Sequence, residues 1–282
     1  MVFVLWLLFG FAVLLLLFAG YLWLIAPARR PYPRQFRRDI LYAHRGLHDG
    51  NQTVFENSMA AFRLAVEHGY GMEMDLQSTR DGQVVVHHDL NTLRVCGVDT
   101  VIEQTDYEDL PPLPDGTPIP LFSEFLALVD GKVPVIIELK YHKQYLRTVR
   151  ATLELLQGYD GDYCLESFHP SIVRYLRIHA PGELRGQLSA GSFDPGTHPA
   201  AVFVLKHLLI NVLSRPHFIA YGFKHDRTPS LRLIRKLFRP LLVTWTVRSQ
   251  QELDAARERY DAVMFEGFIP DFTPETDSSE RR

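Results

Sequence analysis

The sequence predicts an α/β protein, a (β/α)8 TIM barrel preceded by one N-terminal transmembrane helix. Three observations carry this. The first 28 residues hold no charge. Beyond them, short apolar, β-branched runs alternate with helix-patterned segments along most of the chain. The stretch from 40 to 272 is close to the roughly 250 residues of an eight-fold βα barrel. The expected organisation is an anchor over 1–28, a basic juxtamembrane linker over 29–39, the barrel over 40–272, and a polar, disordered tail "TPETDSSERR" over 273–282.

The anchor comes first. Residues 2–25 are apolar, interrupted only by Gly10 and Gly20, and about 20 such residues at roughly 1.5 Å each cross a bilayer core. A cleaved signal peptide would have a basic start, an apolar run of roughly 7–15 residues and a small-residue cleavage site. Here the start is uncharged and the run is longer, so a retained anchor is expected. Arg29, Arg30, Arg34, Arg37 and Arg38 follow at once. This collar predicts a single-pass protein with its C-terminal domain on the cytoplasmic side, and offers charge to anionic head groups. Cys96 and Cys164, the two cysteines, make no disulfide framework and suit a reducing compartment. A net charge of −3 argues against nucleic acid as a partner.

Strand-like runs fall at 41–44, 72–76, 84–88, 135–139, 163–166, 184–188, 218–222, 241–247 and 262–265. That is one more than a barrel needs, and connection length decides which is extra. Parallel neighbours need a crossover of a dozen or more residues. Only "QSTRDGQ", with its turn-forming Asp81-Gly82, separates the second run from the third. The 84–88 run is therefore expected to return antiparallel over the rim, leaving eight strands for the barrel. After the first strand, Asn57 or Ser58 caps a helix whose apolar face is Phe62, Ala65 and Val66, and Gly69 ends it. "PIPLFSEFLALVDGK" and "SQQELDAARERY" read as further barrel helices, each starting at a serine cap. The segment 200–213, "AAVFVLKHLLINVL", is apolar around most of a helix and too short to span a bilayer. It reads as a buried barrel helix, with a dip into the membrane or a lipid entrance as the alternative.

Chemistry-bearing residues gather at the strand ends, where barrels keep their sites. In "GMEMDLQ" (71–77), Glu73 and Asp75 alternate with Met72, Met74 and Leu76, so on a strand both carboxylates share one face. Like charges side by side in an apolar setting need a positive partner. "VIIELK" repeats the pattern with Glu138 and Lys140, which could also pair with each other, while "YAHRG" and "HHD" contribute His44, Arg45, His87, His88 and Asp89. Three carboxylates with no cysteine ligand suit a hard divalent cation, Mg²⁺ or Ca²⁺. Arg45 and Lys140 suit an anionic substrate such as a phosphate. Histidines from the two sides can serve as general acid and general base. Of the twelve histidines, His48, His68, His142, His179 and His225 are expected to be structural or superficial.

Read together and in order, "AHRG", "FENSMAAFRLAVEHGYGMEMDLQSTRDGQVVVHHD", "PIPLFSEFLAL", "IIELK", "SF" and "TWTV" resemble the glycerophosphodiester phosphodiesterase family over nearly all of the chain after the anchor. The family pattern runs HRG, PENT, E-x-D, T-x-D-G, V-x-H-D and E-x-K. The resemblance implies a metal-dependent hydrolase that converts glycerophosphodiesters to sn-glycerol 3-phosphate, or another phosphomonoester, and an alcohol. It implies Glu73, Asp75 and Glu138 as metal ligands, His44 and His88 as the acid–base pair, and Arg45 and Lys140 as phosphate contacts. His87 is set aside, because the family's catalytic histidine directly precedes the aspartate. Glu56 of "FENS" matches the family's glutamate and is expected to orient Arg45 or the metal site, with Trp245 of "TWTV" as a further supporting residue. Three features depart from the pattern: "FENS" for PENT, Arg248 where the family commonly has Asn, and the last strand "DAVMFEGFIPD". That last edge frames the alcohol of the substrate, so head-group or acyl preference stays open. A lysophospholipase D-like hydrolase of membrane lysophospholipids is the alternative favoured by the anchor, the collar and 200–213. A catalytically inactive binding protein on the same scaffold would require loss of a ligand or a histidine, and His44, Glu73, Asp75, His88 and Glu138 are all present.

Overall fold

The structure, a computed structural model, describes residues 2–32, 36, 40–192 and 197–272. The tail 273–282 and Arg34, Arg37 and Arg38 of the collar lie outside the described residues. Helix α1 (Val2–Ile25) leads into strands β1 (Tyr42–Ala43), β2 (Gly71–Ser78), β3 (Val84–Val86), β4 (Val135–Leu139), β5 (Tyr163–Ser167), β6 (Arg185–Ser189), β7 (Phe218–Gly222), β8 (Leu241–Val247) and β9 (Ala262–Phe265). Between them run α2 (Met59–Glu67), α3 (Leu93–Cys96), α4 (Phe122–Val129), α5 (Tyr145–Leu156), α6 (Pro170–His179), α7 (Pro199–Lys206), α8 (Asn211–Ser214), α9 (Pro229–Leu237) and α10 (Gln250–Arg257).

Eight strands are parallel and close on themselves. β1 pairs with both β2 and β9, and the circuit runs β2, β4, β5, β6, β7, β8, β9. β3 is the extra strand. It pairs antiparallel with β2, Leu76 opposite Val86 and Ser78 opposite Val84, as the short connection requires. β1 is shorter than its sequence pattern, because Arg45 at φ 59° and Gly46 at φ 80° turn the chain off the sheet. Gly46 could be nothing else: a Cβ there would stand 2.8 Å from that of Ala61, on a backbone that side chains rarely adopt.

Two apolar layers hold the barrel. Outward residues such as Met72, Met74 and Leu76 of β2 pack under the surrounding helices. Inward residues at the N-terminal end, Tyr42, Ile136, Phe218, Val243 and Met264 among them, fill the floor. Phe36 closes that floor edge-on to Tyr42 and Phe218, with centroids 6.2 and 5.0 Å apart. With the floor filled, inward positions one layer up are free to carry charge.

Ser58 caps α2 by accepting the Ala61 N–H (3.1 Å), and Ser249 caps α10 by accepting that of Glu252 (3.2 Å). α4 departs from the expected serine cap. Its N-cap is Leu121, whose N–H donates to Glu124 (3.0 Å), and Ser123 lies inside the helix. The apolar segment 200–213 is not one helix. Leu208, at φ 57°, divides α7 from α8, leaving Phe203 and Leu213 exposed and Leu208 buried. α1 is 24 residues long with a mean hydropathy of 2.9, long and apolar enough to cross a membrane, and its most apolar window is unburied. Its C-terminal end meets the barrel: Tyr21 Oη donates to Ser230 Oγ (2.8 Å), and Ile25 is buried, its carbonyl accepting from Asn211 Nδ2 (2.8 Å).

Candidate active site

Period-two alternation on β2 sends Gly71, Glu73 and Asp75 inward, and parallel pairing sets Asp75 beside Glu138 of β4. Oxygens of Glu73, Asp75 and Glu138 lie within 4.8 Å of one another, all buried. Oxygen ligands of a hard divalent cation stand at roughly 2.0–2.6 Å, so two ligands of one ion are at most about 5 Å apart. The spacing fits. Charge fits as well: Lys140 reaches Asp75 Oδ1 at 2.8 Å and Glu138 Oε2 at 3.0 Å. With all three carboxylates ionised, one ammonium among them leaves a double negative charge, the amount a divalent ion neutralises. Burial, then the charges of Asp75 and Glu138, push the Glu73 carboxyl well above the usual carboxylate range. Asp75 stays well below it despite burial, held by Lys140. Lys140 is itself pushed up to about 12, its burial outweighed by the same two acids.

The turn after β1 brings in its neighbours. The Arg45 backbone N–H donates to Glu73 Oε2 (3.1 Å) while its side chain runs to Glu56 Oε1 (2.7 Å) and lies 3.5 Å from Asp75. Glu56 also accepts from Asn51 (3.0 Å) and twice from Arg94 (2.8 and 2.6 Å). Burial is overcome by these donors, and its carboxyl is held far below the usual range. His44 Nε2 lies 3.8 Å from Glu73, and Nδ1 lies 3.1 Å from Glu266 Oε2. Burial pushes this imidazole down to about 4, against the pull of Glu266.

The His88 side chain is 33% exposed, with Nδ1 on Asp89, whose other oxygen accepts from Arg94 Nε (2.7 Å). Gln77 of β2 pins this loop by donating to the carbonyls of His87 (2.8 Å) and Asp89 (2.6 Å). His87 is buried, with Nε2 on the Asn91 carbonyl (3.2 Å). His142, buried between Glu103 and Thr148, is a structural histidine. Trp245 sits at the rim, edge-on to Phe168 (5.4 Å), its buried Nε1 without a hydrogen-bond partner among the described residues.

Three residues of the site are not apparent from sequence patterns. Asn57, at φ 55°, donates to Asp75 Oδ2 (2.8 Å) and so fixes the central carboxylate. Glu166 of β5 faces Glu138 in register, 1% exposed, with Oε2 unpartnered among the described residues. Burial, then Glu138 and Asp75, push its carboxyl well above the usual range. Glu266 is the third. Its Oε2, which contacts His44, also accepts from Arg248 Nη2 (2.8 Å). Against its partial burial, the His44 hydrogen bond and Arg248 hold Glu266 down to about 2. Two departures from the family pattern, Arg248 and the acid of "MFEGF", are thus one ion pair behind a histidine.

Solved structures with this fold include a glycerophosphodiester phosphodiesterase from Thermotoga maritima, with a TM-score of 0.63 and 24% identity over 80% of this chain and 93% of that one. A phosphodiesterase from Oleispira antarctica, in complex with the product sn-glycerol-3-phosphate, has a TM-score of 0.65 and 21% identity over 80% and 92%. Among curated proteins, human Lysophospholipase D GDPD1 is 46% identical over 71 residues, 25% of this chain and 22% of that protein. Its Mus musculus counterpart is 33% identical over 137 residues, 43% of this chain and 42% of the relative. The aligned stretch thus spans less than half the length of these mammalian proteins. A Glycerophosphodiester phosphodiesterase of Bacillus altitudinis is 31% identical over 154 residues, 49% of this chain and 62% of that one. The model of the Glycerophosphoryl diester phosphodiesterase family matches residues 44–274, and with most of its length so matched, the chain belongs to this family of phosphoric diester hydrolases.

Proposed function

We propose that this protein hydrolyses glycerophosphodiesters to sn-glycerol 3-phosphate, or another phosphomonoester, and an alcohol. The observation that carries the reading is the buried triad Glu73, Asp75 and Glu138 with Lys140 fixed among its oxygens, in a chain of this family. The triad would hold Mg²⁺ or Ca²⁺, which when bound supplies Lewis acidity toward a phosphate oxygen and an adjacent glycerol hydroxyl. Lys140 and Arg45 bind the phosphate, Lys140 as a point charge and Arg45 as a guanidinium held in place by Glu56. His44 and His88 exchange the protons of the reaction. One takes a proton from the attacking oxygen, of water or of the adjacent glycerol hydroxyl, as it bonds to phosphorus, and the other gives one to the alcohol whose P–O bond breaks. Where the hydroxyl attacks, water then opens the cyclic phosphate with the two roles reversed. Each such transfer contributes roughly 10²–10⁴-fold. With Glu266 accepting from Nδ1 of His44, Nε2 is left unprotonated and turned toward Glu73, ready to accept. Trp245 supplies an apolar wall for the alcohol.

The product in the Oleispira antarctica complex supports a glycerophosphodiester substrate. A second reading, hydrolysis of membrane lysophospholipids, is supported by the names of the mammalian relatives and by apolar α1 with exposed Phe203 and Leu213. In our reading α1 anchors the chain in a membrane, with the barrel on the cytoplasmic side. Turnover of glycerophosphocholine and of lysophosphatidylcholine by the full chain, each with Mg²⁺, Ca²⁺ or chelator, tests both. Faster hydrolysis of the first supports the soluble-diester reading, and of the second the lipid one. Hydrolysis of neither under any condition would overturn the proposal.

A further inference from the structure

The end of the barrel remote from the acids carries a second concentration of charge that hydrolysis does not use. α1 joins the barrel there. The Ala28 N–H donates to Pro216 O (2.9 Å) just before β7, and Arg215 Nη1 donates to the carbonyls of Trp23 (2.9 Å) and Ala26 (2.7 Å). Between the last turn of α1 and the barrel lies a cleft of about 830 Å³, walled by Arg29, Arg30, Arg177, Arg185 and Arg215.

These arginines satisfy themselves on main-chain carbonyls. Arg30 donates to Arg239 O, Arg177 to Leu213 O and Arg185 to Arg215 O. Among the described residues, no carboxylate makes an ion pair with any of the five. Arg185 is the decisive one. It is 5% exposed, its Nε has no hydrogen-bond partner among the described residues, and it lines the cleft. Burial, then the charge of Arg177, lower even this guanidinium to about 10. A buried cation beside like charges is costly unless an anion joins it. Guanidinium forks match phosphate oxygens in geometry. The position names the source of the phosphate. The cleft opens at the end of an apolar helix about 36 Å long, where head groups meet the bilayer. Trp23, with the Arg215 guanidinium 5.2 Å over its ring, sits at that boundary.

We propose that this cleft binds the phosphate head group of an anionic membrane lipid, with Arg185 as the buried contact and the acyl chains lying along α1. The proposal rests on α1 lying in a bilayer and is independent of the reaction at the barrel mouth. The test uses the full chain in dodecyl maltoside with chelator, so that no metal at the triad retains phosphate. Thermal unfolding is followed with dihexanoyl phosphatidic acid, dihexanoyl phosphatidylcholine or inorganic phosphate. Phosphatidic acid at saturation is expected to raise Tm by roughly 5 °C, phosphatidylcholine not at all, and inorganic phosphate at the same concentration by much less. Arg185→Gln and the exposed Arg177→Gln are each expected to abolish the rise. Without lipid, Arg185→Gln should be at least as stable as wild type, because it removes an unpaired buried charge. An equal rise with phosphatidylcholine, a full rise with inorganic phosphate, or a lipid response that survives both substitutions would overturn the head-group site. Release of the full chain from membranes by alkaline carbonate alone would instead overturn the anchor.

Discussion

Glu266→Gln probes the carboxylate behind His44, at the edge of the last strand, which departs from the family pattern. The carboxylate accepts from His44 Nδ1 at 3.1 Å and from Arg248 at 2.8 Å through the same oxygen. The amide removes the charge, and its NH₂ competes for the position facing Nδ1, where it favours the opposite tautomer. A hydrogen bond to a charged group contributes about 1.5–3 kcal/mol. At about 1.4 kcal/mol per factor of ten, losing it should lower kcat on glycerophosphocholine roughly 10- to 150-fold. KM should stay close to wild type, because the proposed phosphate contacts are Arg45 and Lys140 and not His44. Glu266→Asp, which keeps the charge, should recover part of the rate. Arg248 is 53% exposed, and a solvated ion pair contributes about 0–1 kcal/mol, so Tm should barely move and Arg248→Ala should cost far less rate than Glu266→Gln. Steady-state kinetics on the three variants decide the matter. A kcat for Glu266→Gln within threefold of wild type would refute the claim that this carboxylate orients His44.

Lys140→Met leaves Asp75 and Glu138 without their ammonium, and breaking a buried pair costs about 3–5 kcal/mol. Its Tm should fall sharply in chelator and recover in part with added Mg²⁺ or Ca²⁺; a Tm equal to wild type in chelator would contradict the charge balance drawn here. Gly46→Ala forces a methyl to within 2.8 Å of Ala61 at φ 80°. It should destabilise by roughly 1–3 kcal/mol or more, read as a lower denaturation midpoint. Burial, then Arg185, hold His217 down to about 4, against about 6.5 in an unfolded chain. The unfolded state therefore binds the extra proton between these values. The contribution of His217 is complete above about pH 6.5 and declines as pH falls toward 4, at up to about 1.4 kcal/mol per pH unit. His217→Gln should flatten unfolding free energy against pH in that window; an unchanged slope would show that His217 is not the group responsible.

The barrel was legible because its signals are local. A strand period of two predicts that Glu73 and Asp75 share a face, and the short "QSTRDGQ" connection singles out the antiparallel strand. What stayed hidden depends on backbone torsions or on register between distant strands. Asn57 reads as a helix cap, yet Ser58 caps α2 while the positive φ of Asn57 turns its amide onto Asp75. Glu166 is a single acid in "YCLES", and only pairing with β4 reveals that it faces Glu138. Arg248 and Glu266 stand out in sequence as two separate departures; strand pairing across β8 and β9 makes them partners. The segment 200–213 has an unbroken apolar pattern, and nothing in it signals the positive φ of Leu208 that splits it.

The most direct test of the account measures glycerophosphocholine hydrolysis by the full chain beside Glu73→Gln, with calorimetric titration of Mg²⁺ and Ca²⁺ into both. Hydrolysis should be abolished by chelator and restored by one of the two ions, with one ion bound per chain, and both binding and turnover should be lost in Glu73→Gln. Turnover that persists in chelator, or a variant that binds and hydrolyses like wild type, would contradict the assignment of the triad as a metal-holding catalytic centre.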